Sequence, residues 1–271
     1  MNAIRGQATF LSTPFKASLL CFVKKVACPL LVALLAGGAA MADRAPVGRT
    51  VVVALDGSGA YREIQAAIDD SQPGDTIYIK SGHYREDVVV HSKDRLRLVG
   101  ESRDQVTISG LKRVGAFRIG KWPYGATDIE VRDLTVSENG GLAVGIFNGA
   151  HILLSNIRAR GLLYVQQAKA VRIEKSLLGG SETTGVSFVD AQGELIGSDV
   201  RDNDYGVTIA GKSDVRVEDN VIANNVYDAV VVQAGAKGTV LRNRLIQNGG
   251  TIAIQDGAHV EEADNAVASA P

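Results

Sequence analysis

Residues 215–222 read VRVEDNVI, and the same spacing of apolar and polar residues returns at 240–245 as VLRNRL. The shared pattern is an aliphatic residue, two variable positions, an Asn, Ser or aliphatic residue, one variable position and a second aliphatic residue. Seven copies begin at residues 131, 154, 173, 195, 217, 240 and 262, with Glu262 as the polar exception in the last copy. The steps of 19 to 23 residues are typical of a solenoid with one repeat per turn.

A second aliphatic run lies in every repeat. Its central members are Val144, Leu163, Val186, Val207, Val230 and Ile252. Two β-branched runs per repeat, separated by Gly, Asn and Asp, predict at least two strands per turn. The sequence therefore predicts an all-β fold, a right-handed parallel β-helix of about 22 residues per coil. A leucine-rich repeat is the alternative, but the two strand runs and the discontinuous Asn pattern favour the β-helix.

The repeat also predicts a polar column inside the coil stack. Its members are Ser176, Ser198, Asn220, Asn243 and Asn265, and the earlier coils place Leu134 and Ile157 at the same position. Successive coils of a β-helix lie about 4.8 Å apart, the spacing of paired strands. We therefore expect hydroxyl and amide groups to hydrogen-bond from coil to coil and to satisfy the backbone of the turns.

The stretch before the repeats predicts one short helix near residues 60–70. Ile64, Ala67 and Ile68 recur at helical spacing. Ser58 is a candidate N-cap, and the following Pro73-Gly74 pair ends the helix. A β-helix exposes its core and strand edges at its first coil, so we interpret this helix as a cap.

Residues 1–42 are interpreted as a signal peptide. Lys24 and Lys25 precede an apolar run at 26–36, and small residues follow this run, which is the order of a secretory signal. The run is far shorter than the about 20 residues of a membrane span. We expect cleavage before Asp43 and a secreted or periplasmic protein.

The remaining chain, residues 43–271, is long enough for a single domain. The leader holds four of the 29 basic residues and none of the 30 acidic ones, which leaves a net charge of −5 and argues against a nucleic-acid partner. Both cysteines, Cys21 and Cys28, lie in the leader, so the exported chain has no disulfide. We expect it to be a monomer.

Three short motifs connect this chain to a known family. Asp56-Gly57-Ser58-Gly59, Gly74-Asp75-Thr76-Ile77 and Gly82-His83-Tyr84-Arg85-Glu86 resemble the amino-terminal segment of pectin methylesterases, within the pectin-lyase-like superfamily. The resemblance covers residues 50–110. It implies a polysaccharide partner, pectin or another uronate polymer.

The resemblance also implies a catalytic set of two aspartates and an arginine. The aspartate of Asp-Phe-Ile-Phe-Gly corresponds to Gly185 in GVSFVDAQ, and that of Gln-Asp-Thr-Leu corresponds to a leucine in GLLYV (161–165). The Leu-Gly-Arg-Pro-Trp motif is missing from the sequence, whose only tryptophan is Trp122 in KWPYG. We therefore expect the esterase catalytic residues to be absent.

Other residues are candidates for carbohydrate chemistry. A glycoside hydrolase needs two carboxylates across a groove, and the turn carboxylates available for this are Asp190, Asp204, Asp228 and Glu182. Side chains suited to sugar rings are Tyr164, Tyr205, Tyr227 and Asn225. The four histidines lack ligand spacing, so neither a metal nor a cofactor is expected.

Three functions remain open from the sequence. The first is a carbohydrate-interacting protein without the esterase residues. The second is an active pectinesterase, lyase or hydrolase with displaced carboxylates. The third is a structural surface repeat protein.

Overall fold

The computed structural model describes residues 48–111 and 115–268, so the predicted leader, residues 1–42, lies outside the described residues. Within these ranges the chain has one helix, α1 (Ile64–Asp70), and is otherwise built of strands. The strands of the amino-terminal half are β1 (Thr50–Val53), β2 (Thr76–Ile79), β3 (Gly82–Arg85), β4 (Val88–Val90), β5 (Asp94–Gly100), β6 (Val106–Ser109), β7 (Phe117–Ile119), β8 (Thr127–Arg132), β9 (Thr135–Phe147), β10 (Ala150–Ser155), β11 (Arg158–Gln166) and β12 (Lys169–Glu174). The remaining strands are β13 (Leu177–Gly179), β14 (Thr184–Val189), β15 (Gln192–Ile196), β16 (Asp199–Arg201), β17 (Tyr205–Ala210), β18 (Asp214–Glu218), β19 (Val221–Ala223), β20 (Asp228–Val232), β21 (Lys237–Leu241), β22 (Arg244–Ile246), β23 (Gly250–Ile254), β24 (His259–Ala263) and β25 (Ala266–Ala268).

The strands pair in parallel along three faces of a solenoid. Sheet A contains β1, β2, β5, β8, β10, β12, β15, β18, β21 and β24. Sheet B contains β3, β6, β13, β16, β19, β22 and β25, and sheet C contains β4, β7, β14, β17, β20 and β23. The long strands β9 and β11 run through both sheet B and sheet C. The prediction of a parallel β-helix is therefore confirmed, with three strands in each regular coil.

The two predicted series of apolar residues form columns in the core. Val144, Leu163, Val186, Val207, Val230 and Ile252 are register partners from coil to coil in sheet C. The series that starts at Val131 does the same in sheet A and ends on Glu262. Short strands such as β13 have three residues and a single buried position, which is too little alternation to predict from sequence.

The predicted polar column is a hydrogen-bonded ladder at the corner between sheets A and B. Asn220 N–H and Asn220 Nδ2 both donate to Asn243 Oδ1 at 3.0 Å. Asn243 repeats this arrangement with Asn265, and Ser198 N–H donates to Asn220 Oδ1 at 2.9 Å. Ser198, Asn220 and Asn243 are buried, and the ladder satisfies turn N–H groups that no strand could pair.

A second ladder, not predicted, follows the corner between sheets B and C. Its members are Ser181, Asn203, Asn225 and Asn248. The sequence analysis missed this ladder, although its members recur at steps of 22, 22 and 23 residues, as regularly as those of the first ladder.

Helix α1 packs on the first coil through the apolar side chains that the sequence predicted. Ile64, Ala67 and Ile68 are buried and belong to the same core as the strands. Ser58 is not the N-cap. The helix begins after Glu63, and the Glu86 carboxylate accepts hydrogen bonds from Ile64 N–H and Gln65 N–H, both at 2.9 Å. A carboxylate on these free N–H groups caps the helix from the next coil.

Candidate functional site

Two tyrosines predicted for sugar contact stack on each other at the corner between sheets B and C. The rings of Tyr205 and Tyr227 have centroids 4.8 Å apart and an interplanar angle of 28°. Tyr227 N–H donates to the Asp204 carbonyl at 2.8 Å. This hydrogen bond connects the turn at Tyr227 to the equivalent turn of the preceding coil. Tyr227 remains 51% exposed. The pair therefore offers an aromatic surface to a ligand.

The third tyrosine, Tyr164, lies on the outer face of sheet C beside Phe147. Their ring centroids are 6.0 Å apart with an interplanar angle of 50°. Gly145 is the register partner of Tyr164 on the preceding coil, and a Cβ at this glycine would lie 2.5 Å from Phe147 Cε2. The glycine therefore allows the Phe147 ring to lie over the strand. Burial raises the pKa of Tyr164, and the negative charge of Asp190 adds to this effect.

Arg118 lies on the same face, one coil before Gly145 and in register with it. Its Nε atom is buried without a hydrogen-bond partner, and the guanidinium forms no ion pair with any described residue. Sequence reasoning missed this residue because the 27-residue step to Gly145 is longer than the repeat. The apolar-polar-apolar alternation of FRI (117–119) is the sequence pattern that could have indicated an outward-facing arginine.

Two ring pairs and one arginine thus lie on the outer side of sheet C and at its corner with sheet B, a surface that we call the aromatic face. It consists of Arg118, Phe147, Tyr164, Tyr205 and Tyr227. The outward column from Arg118 runs through Gly145, Tyr164, Ser187 and Thr208. Four steps at strand spacing give this column a length of about 19 Å.

The four candidate carboxylates do not converge on one point. Asp190 lies at the corner between sheets C and A, where its Oδ1 accepts the Lys212 N–H at 2.9 Å. Glu182, Asp204 and Asp228 follow the opposite corner, between sheets B and C, in successive coils. Asp190 therefore has a turn-capping contact, and the other three border the aromatic face and sheet B.

Asn225 does not face the surface. It is 2% exposed and belongs to the second ladder. Its Oδ1 accepts hydrogen bonds from Asn203 N–H and Nδ2 at 3.1 and 3.0 Å, and its Nδ2 donates to Asn248 Oδ1 at 2.8 Å. Its amide is thus engaged by neighbouring turns, which leaves no side-chain group for a sugar.

The positions that correspond to the esterase aspartates hold a glycine without room for a side chain and a leucine. A Cβ at Gly185 would lie 2.6 Å from Asn203 Nδ2 and 2.9 Å from Val200 Cγ1. In GLLYV, Leu163 is completely buried in the core and Leu162 is half-buried, and neither aliphatic side chain can act as a nucleophile or transfer a proton. Among the described residues, no three His, Cys, Asp or Glu side chains are grouped as metal ligands.

Comparisons with known proteins agree with this architecture. Residues 101–268 match the family model for the right-handed β-helix region, and residues 50–143 match the pectinesterase model. A probable pectinesterase of Arabidopsis thaliana is 45% identical over 65 residues, which are 22% of this chain and only 13% of that protein.

Two solved structures share the fold at low sequence identity. Pectin methylesterase PemA from Erwinia chrysanthemi is 13% identical with a TM-score of 0.56, over 81% of this chain and 89% of that chain. A pectin methylesterase in complex with a hexasaccharide is 14% identical with a TM-score of 0.55, over the same shares of both chains, 81% and 89%. None of the helices in the described ranges has the length and apolar character needed to cross a bilayer.

Proposed function

Because the chain belongs to the right-handed β-helix family, we propose that it is an exported protein that binds an acidic polysaccharide of the pectin type along the aromatic face. Arg118 is the observation that carries this proposal. An arginine whose Nε is buried without a partner, on the same face as the Phe147 and Tyr164 rings, has hydrogen-bonding capacity that a ligand carboxylate can use.

The remaining features of the face suit a polymer of sugar rings. Aromatic side chains pack against the apolar faces of pyranose rings, while their polar edges accept and donate hydrogen bonds. The outward column repeats at every coil, so a chain with a repeating unit can make similar contacts over about 19 Å. One of the solved relatives was determined with a hexasaccharide, which supports a polymer as the ligand.

We propose binding without ester hydrolysis. Esterase chemistry of the implied type needs one carboxylate as nucleophile and another group that transfers protons. Gly185 and the leucine of GLLYV supply neither, and Gly185 has no room for a larger side chain. The alternative is a hydrolase with displaced carboxylates. One observation favours it, because three carboxylates follow one corner in successive coils, those of Glu182, Asp204 and Asp228.

Tryptophan fluorescence gives a direct test, because Trp122 is the only tryptophan and lies in the loop that follows β7. We expect polygalacturonate to change its emission in a saturable manner. Arg118→Ala should weaken the binding about 10- to 100-fold, since a hydrogen bond to a charged group contributes about 1.5–3 kcal/mol. Arg244→Ala is the control, because it removes the same charge from the outer face of sheet B.

Each alternative gives a different result. Saturable binding that Arg118→Ala leaves unchanged contradicts the proposed site. Release of methanol from esterified pectin, or an absorbance rise at about 235 nm from unsaturated uronides, identifies an enzyme instead. No binding to any polysaccharide favours the structural repeat protein.

A further inference from the structure

A groove of about 940 Å³ lies on the outer face of sheet B. It arises because coils of different length stack on one another. Between the register pairs Arg160–Gly179 and Leu163–Val186, β11 has two residues where the next coil has six, residues 180–185. On the other side, β9 has four residues, 138–141, opposite the single residue Gly161. The groove is therefore a valley whose floor consists of β11, β13 and β16, with Glu138 from the first segment and Gly180 and Glu182 from the second on its walls.

Glycines keep this valley open. Gly179 and Gly180 line it without side chains. Gly161, with a φ of +118°, forms the bend of the floor, and a Cβ there would lie 2.7 Å from the carbonyl oxygens of Glu138 and Gly141. A side chain at this position would collide with the wall and fill the floor.

Three charged side chains in the valley have no partner among the residues that the structure describes. Arg160 lies on the floor, Glu138 on one wall and Glu182 on the other. None of the three makes a hydrogen bond or an ion pair with another described residue. The other two arginines of the groove are already engaged, because Arg158 pairs with Asp104 at 2.8 Å and Arg201 pairs with Asp199.

The chemistry of the valley differs from that of the aromatic face. Three arginines face four carboxylates, those of Glu138, Glu182, Asp199 and Asp202, so the groove has no excess of positive charge. An acidic polymer gains little from such a surface. A sugar with free hydroxyl groups fits it better, because each hydroxyl can donate to a carboxylate and accept from a guanidinium.

We infer that this valley is a second carbohydrate site, and that it takes an uncharged oligosaccharide. Its volume lies within the range of about 300–1,000 Å³ that is usual for small-ligand sites. Its two carboxylate walls and the arginine floor would fix the orientation of the hydroxyl groups. The inference is independent of the acidic-polymer proposal, since it depends on different residues on a different sheet.

Calorimetric titration with cellohexaose, xylohexaose, maltohexaose and hexagalacturonate tests the inference on the exported chain. We expect at least one neutral hexasaccharide to bind, with an affinity that Arg160→Ala and Glu182→Gln each lower about tenfold, the effect of one lost hydrogen bond of average strength. Glu182→Gln keeps the shape of an exposed loop side chain, so folding is unaffected. Binding of the neutral sugar should be the same at about 0.05 and 0.5 M salt, because screening acts on charged ligands.

The two sites respond to different variants. Arg118→Ala should leave neutral-sugar binding intact, and Arg160→Ala should leave hexagalacturonate binding intact. The inference is overturned if none of the three neutral sugars binds, or if neither groove variant lowers the affinity. It is also overturned if Arg160→Ala abolishes hexagalacturonate binding, because the groove then takes the acidic sugar.

Discussion

Two glycines on the outer part of sheet C have opposite consequences for the surface. Gly145 makes room for the Phe147 ring and thereby creates part of the aromatic face. Gly185 has its missing side chain directed at the second asparagine ladder, where Asn203 leaves no space. The same residue type therefore opens one position to ligand contact and closes another to catalysis.

This difference predicts the result of restoring an aspartate at position 185. Gly185→Asp should give no methanol release from pectin and should lower the free energy of unfolding by about 1–3 kcal/mol, the usual cost of overpacking. Ser187→Asp is the control, because Ser187 points outward two residues later and should be tolerated. Thermal unfolding and an esterase assay measure both effects. A Gly185→Asp variant that is as stable as the control would mean that the Asn203 ladder yields easily.

At the scale of structural elements, the corners of each coil depend on buried side-chain amides. Asn243 is completely buried, and its Nδ2 donates to the Val217 carbonyl at 2.9 Å. Its Oδ1 accepts from the backbone N–H and the side chain of Asn220. Its Nδ2 also donates to Asn265 Oδ1 at 3.0 Å, so one side chain satisfies groups on the coil before it and on the coil after it.

Loss of this amide should be costly. Asn243→Ala leaves buried polar groups without partners, at about 1–3 kcal/mol for each, so we expect at least about 2 kcal/mol of destabilisation. Asn243→Ser should lose less, since Ser198 serves at the same column position and its hydroxyl accepts the Ser176 N–H at 3.2 Å. Denaturant unfolding of the two variants gives the comparison. Equal stability of the two would contradict a role for the oxygen acceptor.

The segment around helix α1 predicts a dependence on pH. Burial by itself would raise the pKa of Asp75, but hydrogen bonds from Gln72 N–H and Arg49 outweigh it, and the pKa is lowered. A lowered pKa stabilises the fold above the unfolded value of about 3.9, and this contribution is lost as the pH falls below it.

Asp75→Asn should therefore be less stable than the wild type at about pH 6, because the asparagine loses the charge-assisted bonds to Arg49. The difference should shrink as the pH falls below about 4, when Asp75 itself becomes protonated. Melting temperatures of both proteins between about pH 2.5 and 6 measure the change. A difference that stays constant over this range would show that the charge of Asp75 does not contribute.

At the scale of the whole molecule, the three faces of the solenoid differ in how their charges are used. On sheet A, Arg172, Glu194 and Arg216 are register partners, and Arg172 pairs with Glu194 at 2.5 Å. Arg97 pairs with Glu130 at 3.3 Å on the same sheet. Pairs of opposite charges on neighbouring strands stabilise this sheet. Arg118 and Arg160, by contrast, have no ion-pair partner among the described residues and lie on sheets C and B, where we place ligands.

The predicted export signal, residues 1–42, can be tested on the whole protein. When the chain is produced in an exporting bacterial host, the mature protein should begin at Asp43 and lack both cysteines. Intact mass measurement checks the cleavage site. The melting temperature of that protein should be the same with and without a thiol reductant. A mass that includes residues 1–42 would refute the export signal.

The amino-acid sequence by itself determined the coil. Inward positions recur at every turn, so their aliphatic residues reveal the period, the columns and the first ladder without coordinates. The tyrosine pair was also predictable, because both residues follow the same corner. Glu86 as the helix cap was not, since the capping contact joins residues 22 positions apart.

Only the tertiary structure decided which polar groups are left for a ligand. The sequence around Asn225 and Arg118 does not indicate whether their side chains are free to bind a ligand. In the structure the Asn225 amide is hydrogen-bonded within a buried ladder, whereas Arg118 Nε has no partner. The valley on sheet B comes from coils of unequal length lying side by side. Periodicity in the sequence shows what every coil shares. A binding site depends on how one coil differs from its neighbour, and this difference can be seen only when the register between the coils is known.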